Sequence, residues 1–141
     1  MNLCAQPLAD LEVLLRRRQV SCTDLVSDAL ARIAEVNPVL NAFCFTYPED
    51  ALEEAARLDQ ELAAGHDRGP LHGIPIAIKD FTPTKGRITT RGSYALEHWV
   101  PDADPVIVQR LKAAGAIIVG KTTTPEFAHS GMTASALWGI T

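Results

Sequence analysis

Gly69-Pro70-Leu71-His72-Gly73-Ile74-Pro75-Ile76-Ala77-Ile78-Lys79-Asp80 decides how this chain of 141 residues is read. Turns marked by Gly and Pro lead into a short apolar run, Ile74 to Ile78. Its isoleucines and its length predict a strand buried on both faces rather than a helix. The strand then ends on a charge. A lysine at the C-terminal lip of a buried strand can lose solvation, and an amine that gives up its proton is a usable base or nucleophile at neutral pH. The commoner role of such a lysine is to mark where the strand reaches water. Adjacent side chains of a strand point to opposite faces, so Asp80 is not expected to pair with Lys79 directly.

Working outward, Asp102, Asp104 and Pro105 open a predicted helix in which Val106, Val108, Leu111 and Ala114 are apolar and Gly115 is the stop. Ala116 to Val119 is a second apolar strand. Strand, connecting helix and strand predict an α/β layer with parallel pairing, the helix being the crossover. Between the two strands, Phe81 to Gly86 is rich in turn residues, and Ile88-Thr89-Thr90-Arg91-Gly92-Ser93 reads as a β-branched stretch or an irregular loop. Upstream, helical spacing predicts helices over Leu8–Arg18, Cys22–Val36 and Pro48–Ala64. The second opens on Ser21-Cys22-Thr23-Asp24, a capping box with Asp in place of Glu, and Asn37-Pro38 is expected to end it. Leu40 to Thr46 is predicted as a short strand.

Composition excludes several function classes. With 47% hydrophobic and 21% charged residues the chain is an ordinary globular one, not a disordered one. A net charge of -4, with no basic stripe, gives no case for nucleic acid or an anionic membrane. Cys4, Cys22 and Cys44 lack zinc or disulfide spacing and read as reduced thiols. Residues 1–10 do not have the form of a secretion signal, and no apolar run approaches the roughly 20 residues that span a bilayer. A cytoplasmic location is expected by elimination. His66, His72, His98 and His129 are scattered, so a metal site is not expected.

Gly115-Ala116-Ile117-Ile118-Val119-Gly120-Lys121-Thr122 matches the phosphate-loop pattern letter for letter. Its middle residues, however, form a strand sequence, and Thr122-Thr123-Thr124-Pro125 is a poor helix start. Nucleotide binding is therefore rejected. Ser93 and Ser130 each lie beside one glycine and read as loop residues that hydrogen-bond locally. Trp99 and Trp138 read as packing residues.

The quoted stretch resembles the lysine motif of the amidase signature family. A second match follows in order: Asp104-Pro105, then Lys112-Ala113-Ala114-Gly115, then Ala116 to Thr122, then Pro125-Glu126-Phe127-Ala128. The resemblance implies a partial α/β/α sandwich with a mixed sheet, residues 1–141 being the N-terminal part of a single amidase domain, helical over 1–68 with the lysine strand and crossover unit over 69–141. It implies hydrolysis of carboxylic amide C–N bonds through a Ser-cisSer-Lys triad in which Lys79 is the terminal base. It also implies that Ala128, His129 and Ser130 lie near the acyl-side pocket. In the family both serines come later, the first in a Gly-Gly-Ser-Ser-Gly-Gly stretch that residues 1–141 do not contain. The chain is thus expected to be a fragment carrying only the lysine and inactive alone; a non-catalytic binding or assembly module derived from an amidase is the other reading. The implied partner is a small-molecule amide, with no cofactor, and the family leaves a homodimer or a transamidation complex open.

Overall fold

In the computed structural model, which describes residues 3–141, the helices are α1 (Leu8–Arg16), α2 (Cys22–Leu40), α3 (Pro48–Ala63) and α4 (Val106–Ala113). Local chemistry sets where they begin. Ser21 Oγ accepts the Asp24 amide and the Asp24 carboxylate accepts the Ser21 amide, a reciprocal cap ahead of α2. Pro48 opens α3, where a missing N–H costs nothing, and Glu49 and Asp50 sit in the first turn that the helix dipole favours.

Helix α2 does not stop at Asn37-Pro38. Pro38 lies inside it, and the bond it forfeits would have gone to the Ala34 carbonyl, a loss tolerated so near a helix end. The stop comes at Asn41, whose φ is 50°. There the Asn37 side chain accepts the amides of Ala42 and Phe43 and donates to the Phe43 carbonyl. Helix α4 starts at Val106, later than the acidic residues suggested. At its end Gly115, with φ 84°, turns the chain so that the Ala116 amide reaches back to Leu111.

Strands β1 (Phe43–Thr46), β2 (Pro75–Lys79) and β3 (Ile117–Thr122) form one sheet in the order β1-β3-β2. β1 runs antiparallel to β3, pairing Phe45 with Lys121 and Thr46 with Gly120, and carries a bulge between Phe43 and Phe45. Along β2 and β3 the bonds advance in one direction, from Ile117 N–H to Ile74 O and on to Asp80 N–H to Thr122 O, so this pair is parallel. The sheet is mixed and the class α/β. As the central strand, β3 runs on through Lys121 and Thr122. Strand β2 is not buried on both faces: Ile78 is buried, but Ala77 and Lys79 are exposed, because the described residues pack against only one side of it. Residues 88–93 form a loop. A two-residue hairpin, β4 (Ala134–Ser135) with β5 (Gly139–Ile140), was not anticipated.

The chain divides into two compact units. The first takes residues up to Glu35, Tyr47–Ile76 and Arg110–Val119. Its core is apolar: Leu15, Leu25, Val26, Leu58, Ile74, Ile117 and Val119 are buried. Buried His72 accepts the Arg68 amide at Nδ1 and so donates from Nε2 to the Leu58 carbonyl at 3.0 Å. The second unit takes Val36–Thr46, Ala77–Gln109 and Gly120–Thr141. Its interior is of another kind. Beside Ile78 and Val108 it buries Asp80, Thr84, Thr89, Thr90, Ser93, Lys121, Thr123 and Thr124. Such an interior is stable only when its polar groups are paired.

Each unit also holds a shielded thiol. Burial first, and then Asp59, pushes Cys22 up to about 12 from the ordinary 9.0; burial, and then the Asp80 charge, does the same for Cys44. Between these values the folded protein keeps protons that the unfolded chain has released. Stability must then fall as pH rises from 9.0 toward 12. Urea midpoints measured from about pH 8 to about pH 10.5 are expected to drop, with a shallower slope in the double variant Cys22→Ala/Cys44→Ala. An equal slope in that variant would assign the alkaline loss to other groups.

Candidate active site

Among the buried polar groups of the second unit, Asp80, Thr89, Thr90 and Lys121 form a bonded cluster. Lys121 and Asp80 both have 0% side-chain exposure, and Lys121 Nζ lies 3.1 Å from Asp80 Oδ1. The ammonium also donates to the Ile88 carbonyl at 3.2 Å and to Thr89 Oγ1. Three acceptors thus match its three N–H bonds. Burial pulls the Lys121 pKa down, while the Asp80 charge and hydrogen bond push it back up.

Asp80 is held from several sides. The Thr90 amide donates to both carboxylate oxygens at 3.2 Å, and the Thr90 hydroxyl donates to Oδ2. That hydroxyl in turn accepts the Gly92 amide at 3.0 Å and the Trp138 indole N–H at 2.9 Å. The Trp138 ring meets Phe45 edge-on, with centroids 5.1 Å apart. Trp138 is therefore a packing residue that also closes a polar chain.

This network fixes the backbone around the residues singled out from the sequence. The Arg91 amide donates to the Asp80 carbonyl at 3.0 Å, and the Phe127 amide donates to the Arg91 carbonyl at 2.8 Å. Lys79 precedes Asp80 and Ala128 follows Phe127, so two backbone bonds through Arg91 tie their segments together. Phe127 and Ala128 have φ values of 49° and 56°. Ala128 is half-buried, whereas His129 and Ser130 are exposed. Ser130 Oγ accepts the Met132 amide and Ser93 Oγ accepts the Ala95 amide, both local bonds. Lys79 lies exposed at the end of β2. The shielding that would make it a base is not supplied by the described residues.

Sequence reasoning missed the Asp80–Lys121 pair. The usable signal was a lysine within an apolar strand, since such a cation requires a buried carboxylate. The phosphate-loop match is explained by the same placement: Ile117–Thr122 is a strand, and its lysine is committed to Asp80. Among the described residues no three His, Cys, Asp or Glu side chains are gathered so as to hold a metal ion, and no helix is long and apolar enough to cross a membrane.

Comparison with known proteins gives the geometry its context. The chain is 39% identical over 140 residues to a glutamyl-tRNA(Gln) amidotransferase subunit from Acidothermus cellulolyticus, covering 99% of this chain and 28% of that protein. Against the corresponding protein of Thermosynechococcus vestitus, which carries the same name, the identity is 44% over 127 residues, covering 90% and 26%. The X-ray structure of native peptide amidase from Stenotrophomonas maltophilia superposes with a TM-score of 0.88 at 38% identity, covering 97% of this chain and 29% of that one. The chain therefore spans less than a third of the length of these relatives. The family described as Amidase matches residues 24–141, and the chain belongs to it.

Proposed function

We propose that these residues are the N-terminal part of a single amidase domain, and that the full-length protein hydrolyses carboxylic amide C–N bonds with Lys79 as its terminal base. One observation supports this assignment above the others. Two lysines stand near the C-terminal ends of paired parallel strands, and Lys121 has all three N–H bonds engaged. Lys79 is the amine left open for chemistry. Asp80, its neighbour, is fixed on both backbone and side chain, so the lip from which Lys79 projects is pre-organised.

In this reading a nucleophilic serine attacks the amide carbonyl. Its hydroxyl proton passes to the cis-serine oxygen, whose own proton passes to Lys79 Nζ. The tetrahedral intermediate then collapses and the C–N bond breaks as the leaving amine takes the cis-serine's proton, which Lys79 replaces, so the base is again neutral. Water then attacks the acyl carbon, its proton passing through the cis-serine to Lys79, and that proton returns along the relay to the nucleophilic serine as the ester C–O bond breaks and the acid leaves. Neither serine is matched within residues 1–141, so the 141-residue piece alone is proposed to be inactive. Later segments of the domain would cover the open face of β2 and supply the dryness that Lys79 needs. Ala128, His129 and Ser130 would border the acyl side, and the small-molecule amide would need no cofactor. A homodimer and a transamidation complex in the cytoplasm both fit the proposed domain.

The test is amide turnover by the full-length protein with Lys79→Ala. Loss of about a hundredfold or more in kcat, at unchanged thermal stability, is expected. Unchanged turnover would remove Lys79 from the mechanism, and no turnover of any amide by the unsubstituted protein would favour a binding or assembly module.

A further inference from the structure

Among the described residues no ion pair engages Arg91. Its guanidinium carbon lies 5.2 Å from the centroid of the Phe81 ring and 5.2 Å from that of Trp99, contacts that hold the planar group by cation–π attraction. Trp99 is itself anchored, since its carbonyl accepts the Thr89 amide at 2.9 Å. The backbone is equally constrained. Arg91 has φ 52°, a conformation unfavourable for a side chain with a Cβ, and its amide and carbonyl are tied to Asp80 and Phe127.

Among the described residues no carboxylate or carbonyl pairs with this guanidinium. Nε is sealed from water and has no hydrogen-bond partner, whereas the two terminal nitrogens are not sealed. A buried donor without an acceptor carries its full desolvation penalty. The two ring contacts hold the plane of the guanidinium, and among the described residues no hydrogen bond engages Nη1 or Nη2.

We infer that Arg91 is a carboxylate-binding residue whose two terminal nitrogens receive the two oxygens of a carboxylate end-on. Planar, bidentate pairing is what a guanidinium offers and an ammonium does not. A singly charged carboxylate matches the one charge of this guanidinium, Lys121 being already paired with Asp80. The Arg91 amide is bonded to the carbonyl of Asp80, the residue that follows Lys79. The inference rests on the proposed amide hydrolysis only for the source of the carboxylate, which is then a second functional group of the amide substrate.

The test uses the full-length protein and two amides that differ in one group, succinamate with a carboxylate and butyramide without. Arg91→Lys keeps the charge and loses the fork. It is expected to lower the ratio of kcat/KM for succinamate to that for butyramide at least about tenfold, through KM. Equal losses on both amides, or none, would overturn the substrate role. Independently of turnover, butyrate is expected to shift the NMR signal of the Trp99 indole N–H in the unsubstituted protein and not in Arg91→Lys or Arg91→Gln, while inorganic phosphate leaves it in place. Absence of the butyrate shift, its persistence in the variants, or an equal shift with phosphate would overturn carboxylate binding itself. If neither amide is hydrolysed but the butyrate shift depends on Arg91, the site stands and the hydrolytic reading fails.

Discussion

Asp80→Ala is expected to destabilise the protein by about 3–5 kcal/mol, the range for stripping one partner from a buried ion pair. Lys121 would be left with two neutral acceptors and no counter-charge in a site with 0% exposure. The Thr90 amide and hydroxyl would lose their acceptor as well. Burial already lowers the Lys121 pKa against the opposing pull of Asp80. Without that pull the amine would shed its proton more readily. The variant's stability should therefore rise with pH wherever the unfolded lysine still holds a proton that the folded one has lost. Replacing both partners with apolar side chains of similar size, Asp80→Leu with Lys121→Met, should recover most of the loss, because no charge is then stranded. Urea unfolding of the two single variants and the double variant measures the coupling. Additive losses would show that the pair does not act as a unit.

Gly120→Ala is the second severe case, and its cause is steric. A Cβ at this position would stand 2.3 Å from the Phe45 carbonyl oxygen and 3.2 Å from the Thr46 Cα, both backbone atoms of β1. Neither can swing aside as a side chain does. The sheet would have to open between β1 and β3, and the pairing of Thr46 with Gly120 and Phe45 with Lys121 would go with it. A loss of about 3 kcal/mol or more, the upper end for overpacking, is expected in thermal or urea unfolding. A loss below about 1 kcal/mol would mean that β1 shifts freely.

The elements with strong periodicity were legible from the residues. Helices α1 and α3 fall within a few residues of their expected bounds, and the β2, α4, β3 crossover has the expected order and parallel pairing. What could not be read depended on distant partners. Asn37-Pro38 has the form of a stop, but the true stop uses Asn41 together with the Asn37 side chain. The β4–β5 hairpin is too short to carry a period. Lys79 was legible through a motif and is exposed in space; Lys121 was legible only as part of a rejected phosphate loop. The ion pair could not be seen because Asp80 and Lys121 meet only once β2 and β3 are aligned. Arg91 gave no signal either, since its ring contacts come from Phe81 and Trp99 on separate turns.

The interleaving of the two units bears on how the chain matures during synthesis. The first unit is incomplete until Arg110–Val119 has been made, and the second needs segments on both sides of that stretch. A ribosome therefore releases helices α1 to α3 long before the central strand exists to receive their neighbours, with apolar positions such as Leu58 and Val26 unprotected in the interval. Nascent chains stalled ahead of residue 117 should present these surfaces to holdase chaperones, and those stalled well past Val119 should not.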